Sequence, residues 1–178
     1  MATTTRRTLV DLLGNELQEL LAAEKAILKV LPRLGKAAHT GELRETLTAR
    51  VREGKEQVAR LEKVVKILDL EGVRVCAGTS GILKGCSQVL TAYEAGNLRD
   101  VAILSGMERV EAYRVAAYGS CREIAELLGL DEVVGLVEEG LELDVLAGKK
   151  FAQIAVQVNA EAFVDGNSPD CFLKNHND

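Results

Sequence analysis

Four carboxylates are spaced through the chain in a way that could do chemistry: Glu24, Glu53, Glu111 and Asp144. Each falls near the middle of a different long helical segment, in phase with that segment's apolar stripe. Carboxylate oxygens are hard donors that suit iron or manganese, with imidazole completing the shell. Four anionic ligands would offset two divalent cations inside a core. Helical bundles closed by one long crossover build di-metal sites from such inward carboxylates. Two cations share the same stripes, Arg50 and Arg114. A guanidinium group has no lone pair to offer a metal. Arg50 with Glu53, and Glu111 with Arg114, are also three residues apart, the spacing of an ordinary surface pair worth a few tenths of a kcal/mol. Whether these groups meet inside or point outward depends on the helices that carry them.

The helices follow from apolar residues recurring every three or four positions. Residues 1–7 read as a tail. Thr8 with Asp11 resembles an N-terminal capping pair. The first stripe is Leu13, Leu17, Leu20, Glu24, Ile27 and Leu31, after which Pro32 is expected to kink or end the helix, with a further turn through Lys36 to Ala38. A short turn at His39-Thr40-Gly41 leads into a second helix, Glu42 to about Leu70. Its stripe is Leu43, Leu47, Arg50, Glu53, Gln57, Leu61, Val64 and Leu68. Residues 71–81 read as a Gly-rich loop, and Ile82 to Glu94 as a shorter third helix. Asn97 is expected to cap a fourth helix carrying Leu104, Met107, Glu111, Arg114, Tyr118, Cys121 and Ala125, with Gly129 as its C-terminal stop. Asp131 is expected to cap a fifth, running to about Phe163 with Val137, Asp144, Phe151 and Val158 inward. Residues 164–178 lose periodicity and read as a second tail. The domain is therefore predicted over residues 8–163. Two hairpins joined by a long crossover holding a short helix give an all-α, ferritin-like four-helix bundle.

Composition agrees. Hydrophobic residues make up 47% and charged residues 28% of 178 residues, enough for one domain with a core. Aromatics are 3% and Trp is absent, so the core is built from Leu, Val, Ile and Ala. A net charge of −5 argues against nonspecific nucleic-acid binding. No apolar run approaches the roughly 20 residues that cross a bilayer. Cys76, Cys86, Cys121 and Cys171 show no CxxC or zinc-like spacing, so reduced thiols in a cytoplasmic protein are expected. Cys76, Cys86 and Cys121 read as small buried hydrophobes. His39 and His176 read as exposed. Tyr113 and Tyr118 read as packing or hydrogen-bonding groups. Gly78-Thr79-Ser80-Gly81 lacks the following Lys and preceding strand of a phosphate loop, and reads as a helix cap.

Several segments resemble the YciE/YciF-type stress-response proteins, a ferritin-like family. LLAAEKAILKVLPRL is similar to the family's L-Y-x-A-E-K-Q-L…L-P run, and EQVARLEKV to Q-V-x-R-L-E. CAGTSGILKG is similar to C-x-A-M-E-G-L-I-x-E-G. VEAYRVAAYGSCREIAELLGL is similar to V-E-H-Y-E-I-A-A-Y-G-T-x-x-x-x-A-x-x-L-G. The match runs from about Leu9 to Ala160. It implies a ferritin-like bundle, usually dimeric, with a metal centre of carboxylates and His. Glu24, Glu53 and Glu111 match acidic positions of the pattern, and Asp144 lies near the acidic pair of the last helix. The departures fall on the centre itself. The family's second-helix His falls on Arg50, the Glu of M-E-G on Ser80, and the His and second Glu of V-E-H-Y-E on Ala112 and Arg114.

The reading that follows is a non-catalytic structural or interaction homodimer in which an Arg–carboxylate network replaces the di-metal site, with no cofactor. Ile82, Leu83, Val89 and Leu90 exceed what one short helix needs to dock, which suits a second copy. The alternative is an iron or manganese carboxylate protein with oxidation or storage chemistry. A thiol redox sensor is a third, resting on the cysteines alone.

Overall fold

The computed structural model describes residues 8–72 and 74–165. Both tails, with Cys171 and His176, lie essentially outside this range. Five helices form among the described residues and no strand: α1 Leu9–Ala37, α2 Gly41–Ile67, α3 Ala77–Ala92, α4 Asn97–Leu127 and α5 Asp131–Val164. The pairs α1–α2 and α4–α5 are hairpins and pack most extensively. α2 against α5, and α1 against α4, close the bundle. α3 lies in the crossover and packs on α4 and α1. No helix among the described residues is long and apolar enough to cross a membrane.

The ends of the helices explain their lengths. Thr8 and Asp11 form a reciprocal capping box, with Asp11 N–H donating to Thr8 Oγ1 at 3.1 Å and Thr8 N–H to Asp11 Oδ2 at 3.2 Å. α1 runs through Pro32 to Ala37 rather than stopping there. Pro32 removes one ladder bond, to the Leu28 carbonyl, but Leu31 and Leu34 remain in the core on either side. At the far end of α4, Gly129 adopts φ 67°; its N–H reaches Glu126 O at 3.0 Å and the Leu130 N–H reaches Ala125 O at 3.0 Å. This left-handed exit lets α4 stop and α5 return beside it. α2 ends at Ile67, three residues short of the expected Leu70, and its exit likewise passes through a positive φ, 48° at Asp69.

Three further expectations need correction. α3 starts at Ala77, five residues earlier than Ile82, because the Cys76 thiol sits at the N-cap and accepts from Thr79 N–H at 3.4 Å. Gly96, not Asn97, is the N-cap of α4, and the Asn97 side chain donates to Asp165 Oδ2 at 2.8 Å. Asp131 lies in the first turn of α5, after an N-cap Leu130 with no side-chain bond. There it still complements the helix dipole.

The apolar core is split in two. One cluster gathers Ile27, Leu31, Leu34, Leu43, Leu47, Ile103, Leu104, Met107, Phe151 and Val158, with Leu83 and Cys86 of α3. The other gathers Leu13, Leu17, Leu20, Leu61, Val64, Tyr118, Cys121, Val133 and Val137. Each fully buried Leu or Ile contributes about 1.5–3 kcal/mol by leaving water. Asp100, on the first turn of α4, locks the α1–α2 turn beside the first cluster. Its buried carboxylate accepts from His39 N–H at 2.8 Å, Thr40 N–H at 2.7 Å and Thr40 Oγ1 at 2.8 Å.

Candidate functional site

Between the two apolar clusters every bundle helix turns polar. α1 supplies Glu24, α2 supplies Arg50 and Gln57, α4 supplies Glu111 and Arg114, and α5 supplies Asp144; none is more than 3% exposed. The helical phase dictates this. Glu24 lies between Leu20 and Ile27, Gln57 between Arg50 and Leu61, and Asp144 one heptad from both Val137 and Phe151. A residue in phase with the core on both sides has nowhere else to point.

The two guanidinium groups are the hubs. Arg114 makes a fork contact with Glu24, Nε to Oε1 and Nη2 to Oε2, both 2.8 Å. Its Nη1 donates to Glu111 at 3.3 and 3.2 Å. Its Nη2 also donates to Gln57 Oε1 and lies 3.2 Å from Asp144 Oδ1. Arg50 donates through Nε and Nη2 to Glu111 at 3.0–3.3 Å, through Nη2 to Asp144 Oδ1 at 2.8 Å, and through Nη1 to Glu53 Oε2 at 2.8 Å. Gln57 completes the layer, its Nε2 donating to Gly140 O at 3.1 Å and to Asp144 Oδ1 at 3.0 Å. Charge-assisted, planar contacts of this kind suit Arg far better than Lys.

Sequence phase thus locates Glu24, Glu111, Asp144, Arg50 and Arg114 in one layer. Glu53 is different. It is 31% exposed at the edge of the layer and pairs there with Arg50. The inward position one residue on belongs to Gly54, where a Cβ would lie 2.9 Å from Leu28 Cδ2. Gly54 lets α1 approach, and Glu53 is left beside the seam. Gln57 was on the expected stripe without an assigned role. Its amide both donates and accepts, which a layer of pure donors and pure acceptors needs.

Burial governs the electrostatics. It pushes the Glu24 carboxyl up to about 7, against the pull of Arg114 and with a smaller push from Asp144. Burial likewise raises Glu111, against both guanidinium groups. Arg114 is held above its usual value: burial opposes its charge, but Glu24, Glu111 and Asp144 more than offset that. Near neutral pH the Glu24 proton is poised, and its two guanidinium contacts are strongest in the ionised form.

These residues do not fit a di-metal centre. Every oxygen of the three buried carboxylates meets a donor except Asp144 Oδ2. Among the described residues no three His, Cys, Asp or Glu converge as a metal-ligand set. His39 is exposed in the α1–α2 turn, far along the chain from the layer. Of the remaining candidates, Cys76, Cys86 and Cys121 are buried and free. Tyr113 Oη lies 2.9 Å from Cys76 Sγ, and Tyr118 packs beside Gly140.

Fold and layer together define a ferritin-like helical bundle with a polar centre. The chain belongs to the family described as Domain of unknown function (DUF892), whose model matches residues 8–163. It is 27% identical over 160 residues to protein YciF of Escherichia coli (strain K12), spanning 88% of this chain and 96% of that protein. The crystal structure of the E. coli stress protein YciF superposes with a TM-score of 0.83 at 25% identity, over 87% of this chain and 99% of that one. YcfI of Rhodopseudomonas palustris, described as a candidate structural protein, gives 0.81 at 28% identity over 85% and 98%. The family resemblance read from the helix motifs holds.

Proposed function

We propose that this is a non-catalytic structural or interaction protein in which Arg50 and Arg114 take the place a di-metal centre holds in carboxylate bundles. The observation that carries the reading is the double guanidinium bridge spanning Glu24, Glu111 and Asp144 inside the bundle. Charge counting supports it. Fully ionised, Glu24, Glu53, Glu111 and Asp144 carry four negative charges, and the two Arg neutralise half. Two divalent cations added to them would leave an excess of positive charge in a buried layer, which is strongly disfavoured. The descriptions of YciF as a stress protein and of YcfI as a candidate structural protein are in keeping with this role.

The working form is a cytoplasmic homodimer without a metal cofactor. Ile82, Val89 and Leu90 on α3 are half-buried against the first apolar cluster, leaving part of each side chain for a second copy. Val145, Val156 and Phe163 line one exposed face of α5 and offer further apolar area.

Converting the layer tests the central idea. Arg50→His combined with Arg114→Glu restores the ligand types that the family pattern carries at those positions. The double variant should gain stoichiometric iron or manganese, read by elemental analysis, while the parent does not. A double variant that folds and stays metal-free sinks the proposal that these Arg stand in the metal's place. Sedimentation equilibrium at micromolar concentration checks the dimer; a single monomeric species would refute it.

A further inference from the structure

Away from the buried layer, α1 and α2 leave a groove of about 450 Å³ between them, a volume typical of small-molecule sites. Its floor is apolar: Leu31, Pro32, Leu47 and Val51. Gly35 also lines it, opposite Leu47; a Cβ added at Gly35 would meet Leu47 Cβ at an ordinary contact distance of 3.6 Å. Its rim is cationic: Lys36, Arg44, Arg52 and Lys55, all exposed. No carboxylate lines it. This is a local inversion of charge in a protein of net −5. From Lys25 to Ala38 the chain holds Lys25, Lys29, Arg33 and Lys36 and no Asp or Glu. Some surface cations away from the groove are paired with acids, as in Arg60–Glu139, Lys63–Glu132 and Arg122–Glu126. Arg44 donates to the Ala38 and His39 carbonyl oxygens, and Lys36, Arg52 and Lys55 form no ion pair among the described residues.

We infer that this groove binds a single-chain anionic amphiphile, its acyl chain on the apolar floor and its carboxylate head on the basic rim. The dimensions favour this occupant over a protein helix. The rim follows α2 from Arg44 to Lys55, roughly 16 Å at about 1.5 Å per residue, the length of one medium acyl chain. A stable protein interface buries ~800 Å² on each partner, far more than this floor offers. A neutral or cationic head would leave the rim unmatched. The inference is independent of what occupies the buried layer.

The test is calorimetric titration of the full chain with dodecanoate below its micelle concentration. Dodecyltrimethylammonium, acetate and inorganic phosphate serve as comparisons. Dodecanoate should bind saturably at one site per chain, and the comparisons should not. Lys36→Glu with Arg52→Glu should weaken dodecanoate binding about tenfold or more, as loss of charge-assisted contacts does. Thr48→Trp, at an exposed position on the groove, should block it without touching the core. Circular dichroism and thermal melts establish that both variants stay folded. The inference is overturned if dodecanoate shows no saturation, if the cationic amphiphile binds equally well, or if the charge reversal has no effect. It is also overturned if Thr48→Trp splits a dimer, or if only anionic vesicles bind, because the groove then serves a second copy or a lipid surface.

Discussion

The two ends of the bundle and its middle are held by different physics. At the ends, Leu, Ile, Val and Phe fill space, and the stabilisation is proportional to the area removed from water and indifferent to direction. In the middle, Arg50, Arg114, Glu24, Glu111, Asp144 and Gln57 interact through directed contacts that fit a single alignment of four helices. A helix that slid by one turn could still bury Leu against Leu. It could not keep the fork between Arg114 and Glu24. The comparison suggests a division of labour: the ends supply stability, and the layer fixes register. A buried ionic layer need not add net stability over apolar groups of similar shape, so its value lies in specifying one arrangement.

The largest effect is expected from breaking one hub. Arg114→Ala strands Glu24 and the Gln57 carbonyl in a dry interior and leaves Glu111 to Arg50. It should destabilise the protein by about 3–5 kcal/mol in chemical denaturation. Arg122→Ala, which removes a surface pair with Glu126, should change stability by less than ~1 kcal/mol. Equal losses would erase the distinction between the layer and the surface.

Leu47→Ala in the first apolar cluster should cost about 2–5 kcal/mol, close to the hub in size. The two regions then separate by pH. Glu24 has an ordinary value of 4.5 and is pushed up to about 7 when folded. Below the ordinary value both states hold the proton, and the tighter grip of the folded state is fully expressed. As pH rises from 4.5 toward 7, the unfolded chain releases the proton first, and this contribution is lost. Denaturation midpoints should therefore fall across that window in the parent protein and in Leu47→Ala alike. The fall should be shallower in Glu24→Gln, where only the raised Glu111 still contributes in that sense. A Glu24→Gln variant with the parent's slope would remove Glu24 from the account.

Gly140 marks the border between layer and cluster. A Cβ there would lie 2.4 Å from Tyr118 Cε1 and 2.8 Å from its Cζ, so the buried ring must move. Gly140→Ala should cost about 1–3 kcal/mol by overpacking, read in the same assay. The smallest effect is expected at the layer's edge. Glu53→Ala removes one half-exposed partner of Arg50 and should change stability by under ~1 kcal/mol. A loss as large as that of Arg114→Ala would mean that Glu53 belongs to the buried set after all.

Helical phase made most of this legible. Leu20, Glu24 and Ile27 on α1, or Met107, Glu111 and Arg114 on α4, share a face by spacing alone, and the structure buries them together. Phase is less reliable one step from the stripe's centre. Glu53 lies three residues from Arg50, but the inward place goes to Gly54, because removing a side chain lets Leu28 in. That choice depends on a neighbouring helix and cannot be read along one strand of sequence. Gln57 was visible by position, but its role needed the partners Gly140 O and Asp144 Oδ1, more than eighty residues away. The early start of α3 was hidden for a local reason: a thiol at Cys76 serves as the cap where Ser, Thr, Asp or Asn is the usual signal. The basic groove was invisible as a site because its residues come from two helices and look, singly, like ordinary solvated charges.

The central claim is that Arg50 and Arg114 occupy the place of the metal. It is tested most directly by elemental analysis of protein produced with added iron and manganese and purified without chelator. The account predicts far less than one ion of either metal per chain, with thermal stability unchanged by a strong chelator. Two ions per chain, lost to chelator together with stability, would contradict it.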